Sequence, residues 1–457
     1  MSVTHPGRLD VSDVLEINFR VTRSGRAFSP WEGDPITSPS FSIATAVLQA
    51  VESAADEDLA EPDDTDNELD ITAVDEEHAN EDTLNGSPDV FGSPNTSASA
   101  TTTTGASAPV KTRAARDKAG SKRRRAAARK SAKIKEHLEL LPPARRPHHE
   151  RVASTGWIGL RDQGQSKQEE SAGTARPIMD ATGRVFALFG GRPDDPNWMA
   201  DVHDPAVEAL EAARARCKVS EWRTYHRRGN WPPLTAGDSY GGGQTQPGAL
   251  VNGVINAAVL CSLVSNVAFI RLAGFATGLF FNWSPRLFDY YVSHMRRLYK
   301  RYTHLRRPFL NSIWSACTFN LGPRTCCLGH RDFGNLAFGW CAVTALGHYD
   351  YTKGGHLILW DCKLIIEFPP GTTILIPSAA IFHSNIPIGV GERRYSFTQY
   401  TAGGLFRWIE HGFQSEEAFF SSLSAEERVK EQAEARARWE SGASLFCTVA
   451  ELERESL

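Results

Sequence analysis

Trp314-Ser-Ala-Cys-Thr-Phe319, His356-Leu-Ile-Leu-Trp360, Leu364-Ile-Ile-Glu-Phe368, Thr373-Ile-Leu-Ile376 and Tyr395-Ser-Phe-Thr-Gln-Tyr400 are short runs rich in β-branched and aromatic residues. Gly354-Gly355 and Pro369-Pro-Gly371 punctuate them as turns. Short strands at such regular spacing are the pattern of a sandwich or jelly roll rather than of a parallel sheet, which needs a helix between successive strands. The stretch from Trp314 to Tyr400 is therefore expected to form the β core of the chain.

Within it stands His330-Arg-Asp332, and a second histidine, His383, follows a strand far downstream. Two imidazoles and a carboxylate make the facial triad of non-haem iron oxygenases, which leaves the opposite face of the ion open. Taken singly these residues read otherwise: His330 as a satisfied core histidine, Asp332 as the cap of a turn. His348 and His356 compete with His383 for the third position, His348 as a turn residue and His356 as the start of a strand. Arg394-Tyr-Ser396 follows His383, and in a strand of period two Arg394 and Ser396 share a face. A guanidinium fork beside a hydroxyl suits a carboxylate, here the distal one of 2-oxoglutarate, and that favours His383. Arg393 is expected on the other face, and both arginines alternatively read as edge-strand surface charges.

Outward from this core, helix signals appear on both sides. Asp204-Pro205 reads as N-cap and first helical residue of a helix over 206–218, and Ser284-Pro285 repeats the signal before a helix over 286–301. Ser424-Ala-Glu-Glu427 is a capping box opening a charged, solvated helix over 428–439. The apolar window from Val251 to Phe281 is interrupted by Asn252, Asn256, Asn266 and Arg271. A membrane helix needs about 20 consecutive apolar residues, so a buried core helix followed by a loop is expected, with no membrane partner. Gly241-Gly-Gly-Gln244 lacks the strand-then-helix setting of a phosphate loop and reads as a flexible loop bordering the site.

The 457 residues carry a formal charge of −4, but the total hides two opposed blocks. Residues 51–90 are strongly acidic and residues 111–135, containing Lys122-Arg-Arg-Arg125, are strongly basic. Such segregation, with Ser, Thr and Ala filling the rest, marks residues 1–150 as a disordered tail, because little apolar surface is available to offset chain entropy. The basic block reads as a nuclear import signal, a nucleic-acid tether or a solvated charge run. Eight cysteines without a C-x-x-C pair argue against structural zinc. No apolar segment follows Met1, so free thiols in a reducing compartment are expected.

Five segments together carry a resemblance: Phe319-Asn-Leu-Gly-Pro-Arg-Thr325, His330-Arg-Asp-Phe-Gly-Asn335, Gly354-Gly-His-Leu-Ile-Leu-Trp-Asp361, Pro370-Gly-Thr-Thr-Ile-Leu-Ile-Pro377 and Glu392-Arg-Arg-Tyr-Ser-Phe-Thr-Gln-Tyr400. They resemble the TET/JBP dioxygenases, closest to the fungal, transposon-associated branch. The resemblance covers roughly residues 237–413 and none of the tail. It implies an α+β chain with a double-stranded β-helix (jelly-roll) core and flanking helices. The expected division is a disordered tail (1–150), an N-terminal helical extension (151–235), the dioxygenase domain (236–413) and a C-terminal helical segment (414–457).

Matching positions make His330, Asp332 and His383 the ligands of Fe(II), and Arg394 with Ser396 the anchor of 2-oxoglutarate, with O₂ as co-oxidant. Oxidation of 5-methylcytosine in duplex DNA to hydroxymethyl, formyl and carboxyl forms is the implied activity. N6-methyladenine demethylation, another RNA or protein oxygenase activity, and a non-catalytic DNA-binding role are the alternatives. A methyl group in a stacked base is out of reach, so the base must be flipped. Asn335 lies where relatives place a polar residue near that base, and reads alternatively as a turn-forming Asn after Gly334. Trp340, Tyr349 and Tyr351 are candidates to hold it, and Arg324, Arg331, Arg306 and Arg307 to hold phosphates. A nuclear location, with an import receptor on residues 111–135, completes the expectation. The cysteine-rich zinc region of animal TET enzymes has no counterpart here, so their CpG preference does not carry over.

Overall fold

The computed structural model describes residues 35–57 and 175–455. These form a mixed α+β fold around a large, mainly antiparallel sheet. Its strands are β1 (Ile36–Thr37), β2 (Arg176–Met179), β3 (Val185–Gly191), β6 (Pro233–Ser239), β7 (Gly248–Ala249), β8 (Ala316–Asn320), β9 (Cys341–His348), β12 (Thr373–Ile376) and β14 (Arg393–Tyr400), in the order β1-β2-β3-β12-β9-β14-β8-β6-β7. Only the β1–β2 pair is parallel. A second sheet holds β11 (Leu364–Ile366), β10 (Leu357–Leu359) and β13 (His383–Asn385). The hairpin β4 (Tyr225–His226) and β5 (Gly229–Asn230) stands apart.

The expected strands between Trp314 and Tyr400 are present, with ends shifted by a residue or two. The central strand β9 was not anticipated. Its sequence, Cys-Ala-Val-Thr-Ala-Leu-Gly-His, is small and almost wholly buried, so it shows no alternation. Gly347 in this strand has φ +119°, and a β-carbon there would lie 2.2 Å from the Arg393 carbonyl oxygen. The close approach of β9 to β14 therefore requires glycine.

Two aromatic clusters fix the helices to the sheet. In the first, Trp314 donates its indole N–H to the Trp340 carbonyl (2.6 Å), and Trp340 donates its own to Phe186 in β3 (2.7 Å). Phe280, from the helix Val267–Trp283, stacks on Trp314 with ring centroids 5.5 Å apart. In the second, Phe269 of the same helix meets Phe319 and Phe397 at 4.9 and 5.2 Å. One helix thus presents aromatic side chains to both clusters. Each such ring contributes roughly 3 kcal/mol through burial.

Several expectations need correction. The apolar window is not a helix and a loop but two helices, Val254–Val264 and Val267–Trp283, bent by 66° at Ser265–Asn266. Asn266 accepts the Ala268 N–H and restarts the helix there. No single helix among the described residues is long and apolar enough to cross a membrane. Asp204 does not cap its helix. A π-helical turn, Met199–His203, leads straight into Asp204–Arg216, and the Asp204 carboxylate binds His203 Nδ1 instead (2.7 Å).

Residues 151–235 are not a helical extension alone, since β2, β3 and the start of β6 belong to the main sheet. The tail expectation fails at residues 35–57, where β1 and a helix, Ile43–Glu57, pack on the core. The rest of residues 1–150, including the basic block 111–135, lies outside the described residues. The capping box at Ser424 and Glu427 is formed as read, on a helix running from Ala425 to Ser444.

Candidate metal centre

His330 and His383 approach through their backbones. Each N–H donates to the other's carbonyl at 3.0 Å, an isolated antiparallel bridge that sets the two rings 4.3 Å apart. Asp332 is held by its own N–H to Ser378 O (3.0 Å). His330 Nε2 lies 3.6 Å from Asp332 Oδ1, and His383 Nε2 lies 4.0 Å from Oδ2. One donor atom from each residue falls within 4.8 Å of the others, so the three can hold a metal ion.

The tautomers suit this. His330 Nδ1 faces the Leu328 carbonyl (2.7 Å) and His383 Nδ1 faces that of Ile381 (2.8 Å). With Nδ1–H donated outward, both Nε2 lone pairs point into the centre, the outer contact that orients metal-binding imidazoles. Burial, reinforced at His330 by the His383 imidazole, pushes both rings below the usual histidine range, which keeps them neutral and able to ligate. Burial pushes the Asp332 carboxyl up, but the Arg228 guanidinium outweighs it and holds the group well below the usual range. The donors stand wider than the ~3 Å cis separation around an octahedral ion with ~2.1 Å bonds, so binding would draw them inward.

Arg228 was missed by the sequence reading. The tight turn Arg227–Arg228 of the β4–β5 hairpin carries it to Asp332, with Nη2 2.9 Å from Oδ1. Leu328 N–H donates to the Arg228 carbonyl (2.8 Å), which ties the hairpin to the segment before His330. The only signal for it was the sequence Tyr-His-Arg-Arg-Gly-Asn over 225–230, whose Gly229 takes φ +151°.

Arg394 is 1% exposed, whereas Arg393 is exposed and pairs with Glu211. Arg394 Nη1 donates to Thr325 O (2.8 Å), its guanidinium lies 5.9 Å from the Tyr349 and Phe368 ring centres, and its Nε has no partner. Among the described residues no carboxylate pairs with it. Its backbone is tied to the segment that leads to His330: Arg394 O accepts the Thr325 N–H (3.0 Å) and Arg394 N–H donates to Pro323 O (2.7 Å). Ser396 Oγ accepts from Asn320 Nδ2 (2.9 Å).

Asn335 is half-buried beside the centre, its N–H on Asp332 O (2.9 Å) and its amide on Ser378 Oγ (3.2 Å). Tyr349 packs against Arg394 and donates to Phe368 O (2.5 Å). Trp340 is a core residue at 1% exposure, with no face left for a base. Tyr351 is exposed in a turn. Arg324 donates to Ile388 O (2.7 Å). Arg331 is not free for phosphate: it pairs with Asp361 (2.9 Å), donates to Ala380 O (3.2 Å) and covers the Phe382 ring. Arg306 and Arg307 lie after the helix Pro285–Arg301, where Arg307 covers the Tyr299 ring. His348 and His356 are not in the triad.

No family model matches this chain, and no curated protein does. Among solved structures, one described as "NgTET1 in complex with 5mC DNA" is similar at 16% identity and a TM-score of 0.38, over 52% of this chain and 81% of that one.

Proposed function

We propose that this chain is an Fe(II)- and 2-oxoglutarate-dependent dioxygenase, built on a double-stranded β-helix core, that oxidises the methyl group of 5-methylcytosine in DNA. The observation that carries the reading is a triad of two imidazoles and an aspartate able to hold a metal, together with Arg394, a buried guanidinium that no carboxylate among the described residues pairs with. An unpaired buried charge costs several kcal/mol, and a dicarboxylate delivered beside the triad would compensate it. The resemblance of the segments around His330, Asp361 and Arg394 to TET/JBP enzymes supplies the substrate class.

His330, Asp332 and His383 would hold the metal. When bound, iron supplies the coupling of O₂ reduction to decarboxylation of 2-oxoglutarate, giving succinate and CO₂ while one oxygen atom enters the methyl C–H bond. The chain's own residues do the positioning. Arg394 and Ser396 take the distal carboxylate, and the Tyr349 and Phe368 rings shield it from water, which strengthens the ion pair. Arg228 keeps the Asp332 carboxylate charged and oriented. Asn335, fixed through Ser378, offers an amide to the Watson–Crick edge of a flipped base.

The test is to incubate the full chain with iron, 2-oxoglutarate and ascorbate on duplexes bearing 5-methylcytosine or N6-methyladenine, and to weigh the released nucleosides. Hydroxymethylcytosine is expected, and His330→Ala must be silent. Loss of the methyl group from adenine alone would move the substrate to that base. Succinate release with no altered base would overturn the nucleic-acid reading.

A further inference from the structure

From Tyr290 to Arg331 the chain contains no Asp or Glu but eight Lys and Arg. The helix Pro285–Arg301 sorts them. Its buried stripe is Leu287, Phe288, Tyr291, Met295 and Leu298, and the exposed stripe at i, i+3, i+4, i+7 and i+8 is Ser293, Arg296, Arg297, Lys300 and Arg301. Arg306 continues it beyond the helix and is also exposed. None of these five cations pairs with a carboxylate among the described residues, whereas Arg271, Arg286, Arg331 and Arg393 each do. The nearby acids are occupied or enclosed: Glu410 binds Tyr290 and His294, Glu416 faces Arg407, and Asp238 is buried. A concentration of uncompensated cations on one stripe repels itself unless a polyanion is its partner.

The stripe also leads to the metal centre. Arg297 and Arg301 lie over the Phe413 ring at 5.7 and 5.1 Å. Phe413 closes the helix Gly403–Glu410, whose Trp408 donates to Tyr302 OH (3.1 Å). At the other end of that helix Gly403 N–H donates to Gly334 O (2.9 Å), next to Asn335. Eight helical residues span about 12 Å, the scale of a few nucleotides. Arg296 and Lys300, like Arg297 and Arg301, are one turn or ~5.4 Å apart, which suits successive phosphates.

We propose that this ridge holds the phosphodiester backbone of the DNA whose base enters the site. The assignment rests on the function proposed above and names the surface that function needs. Arg296 and Lys300 make no hydrogen bond or ring contact, so changing them should leave the fold intact.

The experiment measures binding of an unmodified fluorescein-labelled DNA duplex to the full chain by anisotropy across salt concentrations. The comparison is with Arg296→Gln/Lys300→Gln and with the triple variant adding Arg306→Gln. Residues 111–135 contribute equally to all three proteins, so the difference reports the ridge. Each lost phosphate contact should lower the salt slope by about 0.9, and the triple variant should lose at least about tenfold in affinity at 0.1 M salt. Melting temperature and cobalt(II) binding should not change. Equal slopes for parent and variants would overturn the ridge alone, leaving the oxygenase reading intact. A parent that binds no duplex at low salt would overturn both the ridge and a DNA substrate. Tighter binding of an RNA duplex of equal length would overturn the choice of DNA.

Discussion

Arg394 and Asp238 are two side chains whose burial works against their charged form. For Arg394 a functional and a structural role predict opposite outcomes. If the guanidinium is kept for a dicarboxylate, Arg394→Met should leave thermal stability unchanged or raised, because a buried unpaired charge is replaced by a stem of similar length. The same change should weaken 2-oxoglutarate use by about 10- to 150-fold, the worth of a charged hydrogen-bonded pair, with cobalt(II) affinity unaltered. A drop in melting temperature with unaltered 2-oxoglutarate dependence would reject the anchor. Asp238 is buried, and burial raises its pKa to about 7, outweighing the Tyr299 hydroxyl, the Arg306 backbone and the Arg306 and Arg307 charges, which pull it down. The native state then keeps a proton that the unfolded chain, near 3.9, has released. The contribution of this group to stability should therefore be fully present below about pH 4, fall as pH rises from about 4 to 7, and be absent above. The total is at most about 4 kcal/mol. Asp238→Asn should flatten that slope in denaturant titrations at pH 5 and pH 8. Arg394 was legible in the sequence because a period-two strand fixed its face. Asp238 was not, since nothing local tells that Gly237-Asp-Ser239 enters the interior.

Strands and turns set whether the three donors can converge. His330 and Asp332 enter from one segment and His383 from β13, and the two meet through a single backbone bridge. What braces them is side-chain work. Arg331 reaches Asp361 in the turn after β10 and the Ala380 carbonyl, while Asp361 Oδ2 also accepts the Phe382 N–H at 2.7 Å. This clamp fixes the turn that aims His383. Arg331→Ala and Asp361→Ala should each weaken cobalt(II) binding roughly 10- to 100-fold, the usual cost of losing an outer contact. The double variant should lose little more than either alone. The cobalt d–d spectrum reads the geometry directly, and additive losses would show that the two residues act apart. The sequence announced the strands that alternate or carry aromatic residues. It hid β9, whose small buried residues have no period, and Arg228, because hairpin contacts between distant segments leave no mark in local spacing.

At the scale of the whole molecule, the segment 35–57 reverses the reading drawn from composition. Averaged with its acidic and Ser-rich surroundings it looks unable to fold, yet Phe41, Ile43, Ala46, Val47 and Ala50 are all buried in the main core. Phe41 lies 4.7 Å from Phe186 of β3. Asp180, in the β2–β3 turn, accepts the Ile43 N–H at 3.1 Å and so satisfies one of the open donors of the helix Ile43–Glu57. An amphipathic run of fifteen residues needs only a groove that its own chain supplies elsewhere, and no window average can show that groove. The docking surface consists of the β1–β2 backbone pairing and these buried side chains. Cutting the folded protein at a protease site engineered near residue 100 should therefore leave the two pieces together on size exclusion. Val47→Asp, which buries a charge without a partner, should release the smaller piece after the same cut. Release from the unsubstituted protein would show that the contact depends on tethering, whereas retention in Val47→Asp would show that this face of the helix is not what holds it.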